Sequence, residues 1–165
     1  MRPADDPNWS RYPETILEFY RRPADGEPAV RVDLRRPVPP GARERLAELG
    51  LDGPFGVVTA AAPLGEPQAD AFDRAREADL ELTARAEAHA FTLRVDGVSP
   101  DGAHRERSLA VKLPRARVVG LARDFGQSAV FWYDGRDFWL VGALVEADPQ
   151  RLPSGDRASA AVEAQ

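Results

Sequence analysis

The stretch FGVVTAAA, residues 55–62, decides the fold of this chain. Its side chains are almost all apolar at consecutive positions, whereas a strand with one solvated face alternates apolar and polar residues. The run therefore predicts a central strand that is covered on both sides, which is typical of a strand with parallel neighbours. Pro63, Leu64 and Gly65 end the strand.

A long helix is predicted directly after this strand, over residues 66–87. Ala71, Ala75, Ala78, Leu82 and Ala86 form a narrow apolar seam at helical spacing. Because most of these side chains are small, the helix can lie close against a sheet.

Further elements follow in both directions from this strand and helix. Strands are predicted at 14–20, 29–34, 89–95 and 105–113, short helices at 42–49 and 114–125, and a hairpin of strands 128–133 and 137–145 around Asp134-Gly135. This order predicts an α+β fold: a single domain with a mixed sheet of six to seven strands, packed with three helices.

The two ends of the chain differ from this middle region in composition. Residues 1–13 contain three prolines and no apolar period, so they are predicted to form an extended N-terminal arm, which Trp9 and Tyr12 can staple onto the domain. Residues 147–165 are polar and are predicted to form a C-terminal tail. The domain itself is expected to span residues 14–146.

Length and composition indicate one soluble globular domain. The chain has 165 residues, of which 43% are hydrophobic and 30% charged. The longest uncharged stretch, residues 53–65, is shorter than the roughly 20 residues that a membrane-spanning helix needs. There is no secretory signal and no cysteine, so a cytoplasmic location is the default expectation.

The charge is acidic overall but uneven. Lys and Arg number 22 against 27 Asp and Glu, a net charge of −5, which disfavours nucleic acid as a partner. Residues 66–87 carry seven acids and three arginines, whereas residues 103–123 carry six basic residues and one acid. The two segments indicate oppositely charged solvated faces, and the basic one leaves nucleic-acid binding as a lesser alternative.

Three short motifs resemble those of one bacterial family. VTAAAP at residues 58–63 resembles a T-A-x-N-P strand-turn, HRERS at 104–108 a W-x-E-x-S strand, and ARDFGQSAVF at 122–131 a helix-to-strand F-G-Q-x-A-[VI]-F signature. Together, over residues 14–145, they resemble the family called domain of unknown function 3293. Ala62 replaces the motif asparagine and His104 the motif tryptophan, and the resemblance implies a fold neighbourhood but no reaction.

Four polar residues are candidates for binding a ligand: Thr59, Glu106, Ser108 and Gln127. Glu106 and Ser108 are two apart on one predicted strand and so share a face, which suits acid–base work in a cleft or, alternatively, an ion-paired solvated face. Gln127 is expected either to hold loop backbone in place or to contact a ligand.

No cofactor or metal site is predicted. The sequence has two histidines and neither has metal-ligand spacing, and there is no phosphate-binding glycine motif. The sequence does not indicate which residues, if any, are catalytic.

Aromatic residues supply candidates for a protein partner. These are Trp9, Tyr12, Trp132, Tyr133 and Trp139. The three that lie in the predicted hairpin of residues 128–145 indicate either a core-plus-edge cluster or a binding surface. We therefore expect a non-catalytic accessory subunit of a larger assembly, held through its arms and this hairpin. The alternative is a small-molecule-binding protein or small enzyme with a site near Thr59, Glu106 and Gln127.

Overall fold

The structure is a computed structural model that describes residues 1–59 and 68–154, without the side chains of residues 68–76. Eight strands and three α-helices lie within these ranges. The strands are β1 (Ile16–Phe19), β2 (Val30–Asp33), β3 (Phe55–Thr59), β4 (Thr92–Val98), β5 (Arg105–Val111), β6 (Ala129–Tyr133), β7 (Phe138–Gly142) and β8 (Gln150–Leu152). The helices are α1 (Ala42–Glu48), α2 (Gln68–Glu87) and α3 (Arg115–Asp124).

All eight strands form one sheet in the order β2-β1-β4-β5-β3-β6-β7-β8. Every neighbouring pair is antiparallel. The α+β class and the three helices are as predicted, but the mixed sheet of six to seven strands was wrong in both number and direction. The additional strand, β8, lies in the segment that composition indicated to be a tail.

The double-sided apolar pattern of β3 has a different cause from the one predicted. Its neighbours β5 and β6 run antiparallel to it, yet both faces of the sheet are covered. Phe55 and Val57 belong to one apolar core, and Val58 belongs to the other. Burial on two sides explains the sequence pattern without parallel pairing.

The two faces carry different coverings, and we name them accordingly. On the front face, helix α1 and the N-terminal segment pack against a core that contains Phe19, Phe55, Tyr133 and Phe138. On the back face, helices α2 and α3 pack against the sheet through Leu82, Ala86, Val118 and Ala122, among others. The seam predicted for α2 is confirmed at positions 78, 82 and 86, while positions 71 and 75 lie outside the described side chains.

The N-terminal segment is not an extended arm. It folds into two 3₁₀ helices, Pro3–Asp5 and Trp9–Glu14. Trp9 and Tyr12 pack against the front core. Their two rings meet edge to face, with centres 5.8 Å apart. The carbonyl of Met1 accepts a hydrogen bond from the Glu146 amide at 2.7 Å, so the segment is attached to the end of the domain.

The aromatic hairpin of β6 and β7 is divided between core and edge. Tyr133 is buried in the front core beside Phe55 and Phe138. Trp132 and Trp139 are directly opposite each other across the two strands, on the back face, where both are half-buried beside the core. This arrangement corresponds to the core-plus-edge interpretation of the hairpin.

Candidate functional site

Three of the four ligand-binding candidates lie together on the front face. Thr59, the last residue of β3, is paired directly with Ser108 of β5. Glu106 lies two residues before Ser108 on the same strand, so its side chain projects from the same face. We call Thr59, Glu106 and Ser108 the front site.

Glu106 has an unusual environment for a charged residue. Its side chain is solvent-accessible, yet enough protein surrounds the carboxyl group that burial raises its pKa, against a smaller lowering effect of His104. The carboxylate makes no hydrogen bond or ion pair with the described residues. Glu106 is therefore a partly desolvated carboxyl group that makes no hydrogen bond or ion pair in that part of the chain.

An ion-pair network on the back face fixes the start of β5. The Arg105 guanidinium lies 2.9 Å from both Glu18 and Asp96, and Arg94 pairs with Asp96 at 2.9 Å. Asp96 is only 1% exposed. Because Arg105 is held on the back face, the strand alternation orients the next residue, Glu106, to the front.

The turn between β4 and β5 is held by side-chain hydrogen bonds. The Ser99 hydroxyl donates to the Asp101 carboxylate at 2.6 Å and accepts from the His104 amide at 2.9 Å. Asp101 also accepts from the Ala103 amide at 3.0 Å. These bonds fix the backbone of the turn up to His104, which is two residues before Glu106 in the sequence.

The N-terminal segment brings two further polar groups to this end of the sheet. The Tyr12 hydroxyl donates to the Asp6 carboxylate at 2.8 Å, and Asp6 is 6% exposed. Burial, then the hydrogen bond and charge of Asp6, raise the pKa of Tyr12, while the Ser128 hydroxyl acts in the opposite direction. The charge of Glu106 also contributes to this shift, so Tyr12 is within electrostatic reach of the front site.

Sequence reasoning assigned Tyr12 to a protein partner and did not single out Asp6 or Ser128. No sequence signal links them. They meet only because the N-terminal 3₁₀ helices pack beside the loop between α3 and β6.

Gln127 has a structural task in the loop after α3. Its side-chain amide donates to the carbonyl of Phe125 at 3.3 Å, and its backbone carbonyl accepts from the Leu144 amide at 3.1 Å. These contacts correspond to the expectation that Gln127 holds loop backbone in place. It is adjacent in sequence to Ser128, which reaches Tyr12.

The basic segment 103–123 does not stay together as one surface. Arg105 is bound by acids on the back face, whereas Arg115 and Arg117 are exposed on α3. The Arg123 guanidinium donates to the Ala143 carbonyl at 2.8 Å. Folding thus separates charges that are close in sequence.

Within residues 1–59 and 68–154, no group of three or more His, Asp or Glu side chains is placed to hold a metal ion. In the same part of the chain, no helix is both long and apolar enough to cross a membrane.

Fold and site together define a single-sheet antiparallel α+β protein with a polar cluster at one end of its front face. Residues 58–130 match the model of a family described as "Protein of unknown function (DUF3293)", which confirms the resemblance over that part of the chain. The matched segment contains Thr59, Glu106, Ser108 and Gln127, but not the N-terminal segment. No curated protein and no solved structure matches the chain.

Proposed function

We propose that this protein binds a small polar molecule at the front site. The observation that carries the proposal is Glu106, a carboxyl group that is partly desolvated and has no partner among the described residues. Desolvating a charged group without pairing it costs free energy, and such groups concentrate at binding and catalytic sites. A ligand that donates a hydrogen bond to Glu106 recovers this cost.

The neighbouring groups favour a ligand with hydrogen-bond donors, and above all an amine. Asp6 and Glu106 are acidic, and Thr59 and Ser108 supply hydroxyl groups that both donate and accept. The acidic groups repel a phosphate, as does the negative net charge of the chain. A cationic amine, by contrast, forms a charge-assisted hydrogen bond with a carboxylate.

A raised pKa also suits Glu106 to proton transfer. A general base or acid works best when its pKa lies near the working pH. The same residue would therefore serve either simple binding or acid–base chemistry on the bound molecule.

Melting temperatures measured with two sets of small molecules test this proposal. One set contains small primary and secondary amines, and the other contains phosphorylated metabolites of similar size. We expect amines to raise the melting temperature of the wild-type protein, and Glu106→Gln to abolish the rise. Glu27→Gln, which removes one acid from an exposed loop, is the matched control and should retain it.

Three outcomes would contradict the proposal. They are the absence of any stabilising amine, stabilisation by phosphorylated compounds alone, and a rise that survives Glu106→Gln unchanged.

The accessory-subunit expectation receives less support from the geometry and stays a prediction. Trp9, Tyr12 and Tyr133 are used by the chain's own front core. Only the half-buried pair Trp132 and Trp139, among the five aromatic candidates, lies outside that core on the back face. Nucleic-acid binding likewise stays a prediction, with its basic residues divided between separate contacts.

A further inference from the structure

A groove on the back face separates helix α2 from strands β4 and β5. Asp79, Thr83 and Glu87 recur at intervals of four residues, so they share one side of α2 and form the helix wall. Arg94 and Arg107 lie on the opposite wall, which is formed by the sheet. The groove has a volume of about 270 Å³.

Two long contacts join the walls of the groove among the described residues. The Arg107 guanidinium is 3.9 Å from the Asp79 carboxylate, and the Thr92 hydroxyl is 3.5 Å from the Glu87 carboxylate. A well-formed charge-assisted hydrogen bond measures about 2.7–2.9 Å. In these two contacts, groups of the two walls therefore face each other without forming a short hydrogen bond.

The arginines of the groove differ in the number of contacts that their guanidinium groups make. Arg94 is saturated, since it pairs with Asp96, donates to the Pro23 carbonyl at 2.7 Å and stacks over the Tyr20 ring at 4.0 Å. Arg107 is 52% exposed, and within the described part of the chain its side chain has only the long contact to Asp79. Arg21, at the side of the groove, is exposed and forms no ion pair with the described residues.

The groove thus offers two cations without a short ion pair among the described residues, Arg107 and Arg21, and two carboxylates with long contacts, Asp79 and Glu87. Phe91, which is 47% exposed, adds an apolar surface to the lining. A ligand that matches all three features carries a negative group, a positive group and an apolar body. The volume, near the lower end of about 300–1,000 Å³ for small-molecule pockets, restricts it to a small molecule.

We propose that this groove binds a free α-amino acid with an apolar side chain. Its carboxylate meets Arg107 and Arg21, its ammonium group meets Asp79 and Glu87, and its side chain lies against Phe91. The charged side chains of the groove lie on the back face, and Ser108 is the one front-site residue that also lines it. The inference does not use Glu106, which carries the proposed function, and it therefore stands independently of that function.

The test is a titration of the ¹⁵N-labelled full chain, followed by amide chemical shifts. The probes are L-leucine, L-methionine and L-phenylalanine, each also as its N-acetyl derivative and as its amide. We expect at least one free amino acid to shift amides of residues 79–94 and 107–109 in a saturable way at millimolar concentration. Both capped forms should bind about tenfold or more weakly, because each lacks one charge.

Variants locate the binding to the groove. Arg107→Gln and Asp79→Asn should each weaken it about tenfold, whereas Arg115→Gln, on the exposed side of α3, and Glu106→Gln, at the front site, should leave it unchanged. The inference is overturned if none of the three free amino acids shifts these amides, if the capped forms shift them equally, or if the groove variants bind as the wild type does.

Discussion

At the residue scale, Glu106 should make the protein less stable as the pH rises. Its raised pKa means that the folded protein retains a proton that the unfolded chain has released, over a pH range that begins near the ordinary value of about 4.3. The stability that comes from protonated Glu106 is complete below this range and is lost as the pH rises through the raised pKa. We therefore expect Glu106→Gln to raise the melting temperature at neutral pH and to have little effect near pH 4.

Glu27→Gln provides the comparison for this pH series, because it removes the same charge at an exposed position. A melting temperature of Glu106→Gln that is lower than that of the wild type at neutral pH would contradict the expected destabilising role of the charge. A variant that is more stable yet binds no amine would place Glu106 among residues kept for function at the expense of stability.

The residues of the front site differ in how far sequence could predict their association. Glu106 and Ser108 share a face because strand alternation alone requires it. The pairing of Ser108 with Thr59 is a matter of topology, since helix α2 and strand β4 lie between their strands in the chain. Asp6 and Tyr12 join them only through packing of the N-terminal segment, for which the sequence shows no periodic signal.

At the scale of elements, Gly56 sets the distance between β3 and α3. A β-carbon at this position would collide with both methyl groups of Val118, which is fully buried on α3. We expect Gly56→Ala to lower the free energy of unfolding by about 1–3 kcal/mol through overpacking. Thermal or urea unfolding of the purified chain measures this loss.

A second substitution distinguishes collision from an unrelated effect. Val118→Ala removes the methyl groups that Gly56→Ala would meet, so the double variant should lose less stability than the sum of the two single variants. Gly120→Ala, at a helical glycine of α3, should instead stabilise the protein by about 0.5–1 kcal/mol, because among the described residues the added carbon would meet no atom within 4 Å beyond its own helix backbone and its chain neighbours. Strict additivity of the first two changes would argue against contact between β3 and α3 at this point.

The sequence predicts which segments form helices and strands better than it predicts the relative direction of neighbouring strands. Apolar residues at consecutive positions of β3 report burial on both faces, and the structure provides this with α1 on the front and α2 and α3 on the back. The pattern contains no information on whether the neighbours are parallel. Strand β8 escaped prediction because three residues, of which only Leu152 is buried, leave no periodic signal in a polar segment.

At the scale of the whole molecule, both ends of the described chain are part of the folded unit. Strand β8 extends the sheet by pairing with β7, with Leu152 opposite Phe138. Met1 contacts Leu144 and Glu146, close to the end of β7. The prolines that indicated an extended arm are compatible with 3₁₀ turns, in which Pro3 occupies the first position of its helix.

Because the N-terminal segment packs on the front core, truncating its aromatic anchor should destabilise the isolated protein. Trp9 is half-buried, so Trp9→Ala should cost about 2 kcal/mol, roughly half of the 3–5 kcal/mol typical of a fully buried aromatic residue. For a domain of this size the melting temperature should fall by about 4–8 °C. Arg11→Ala, at an exposed position of the same 3₁₀ helix, should change stability by less than about 0.5 kcal/mol. If Trp9→Ala melts as the wild type does, the Trp9 side chain does not stabilise the folded unit, and Trp9 returns to the role of a partner-binding residue.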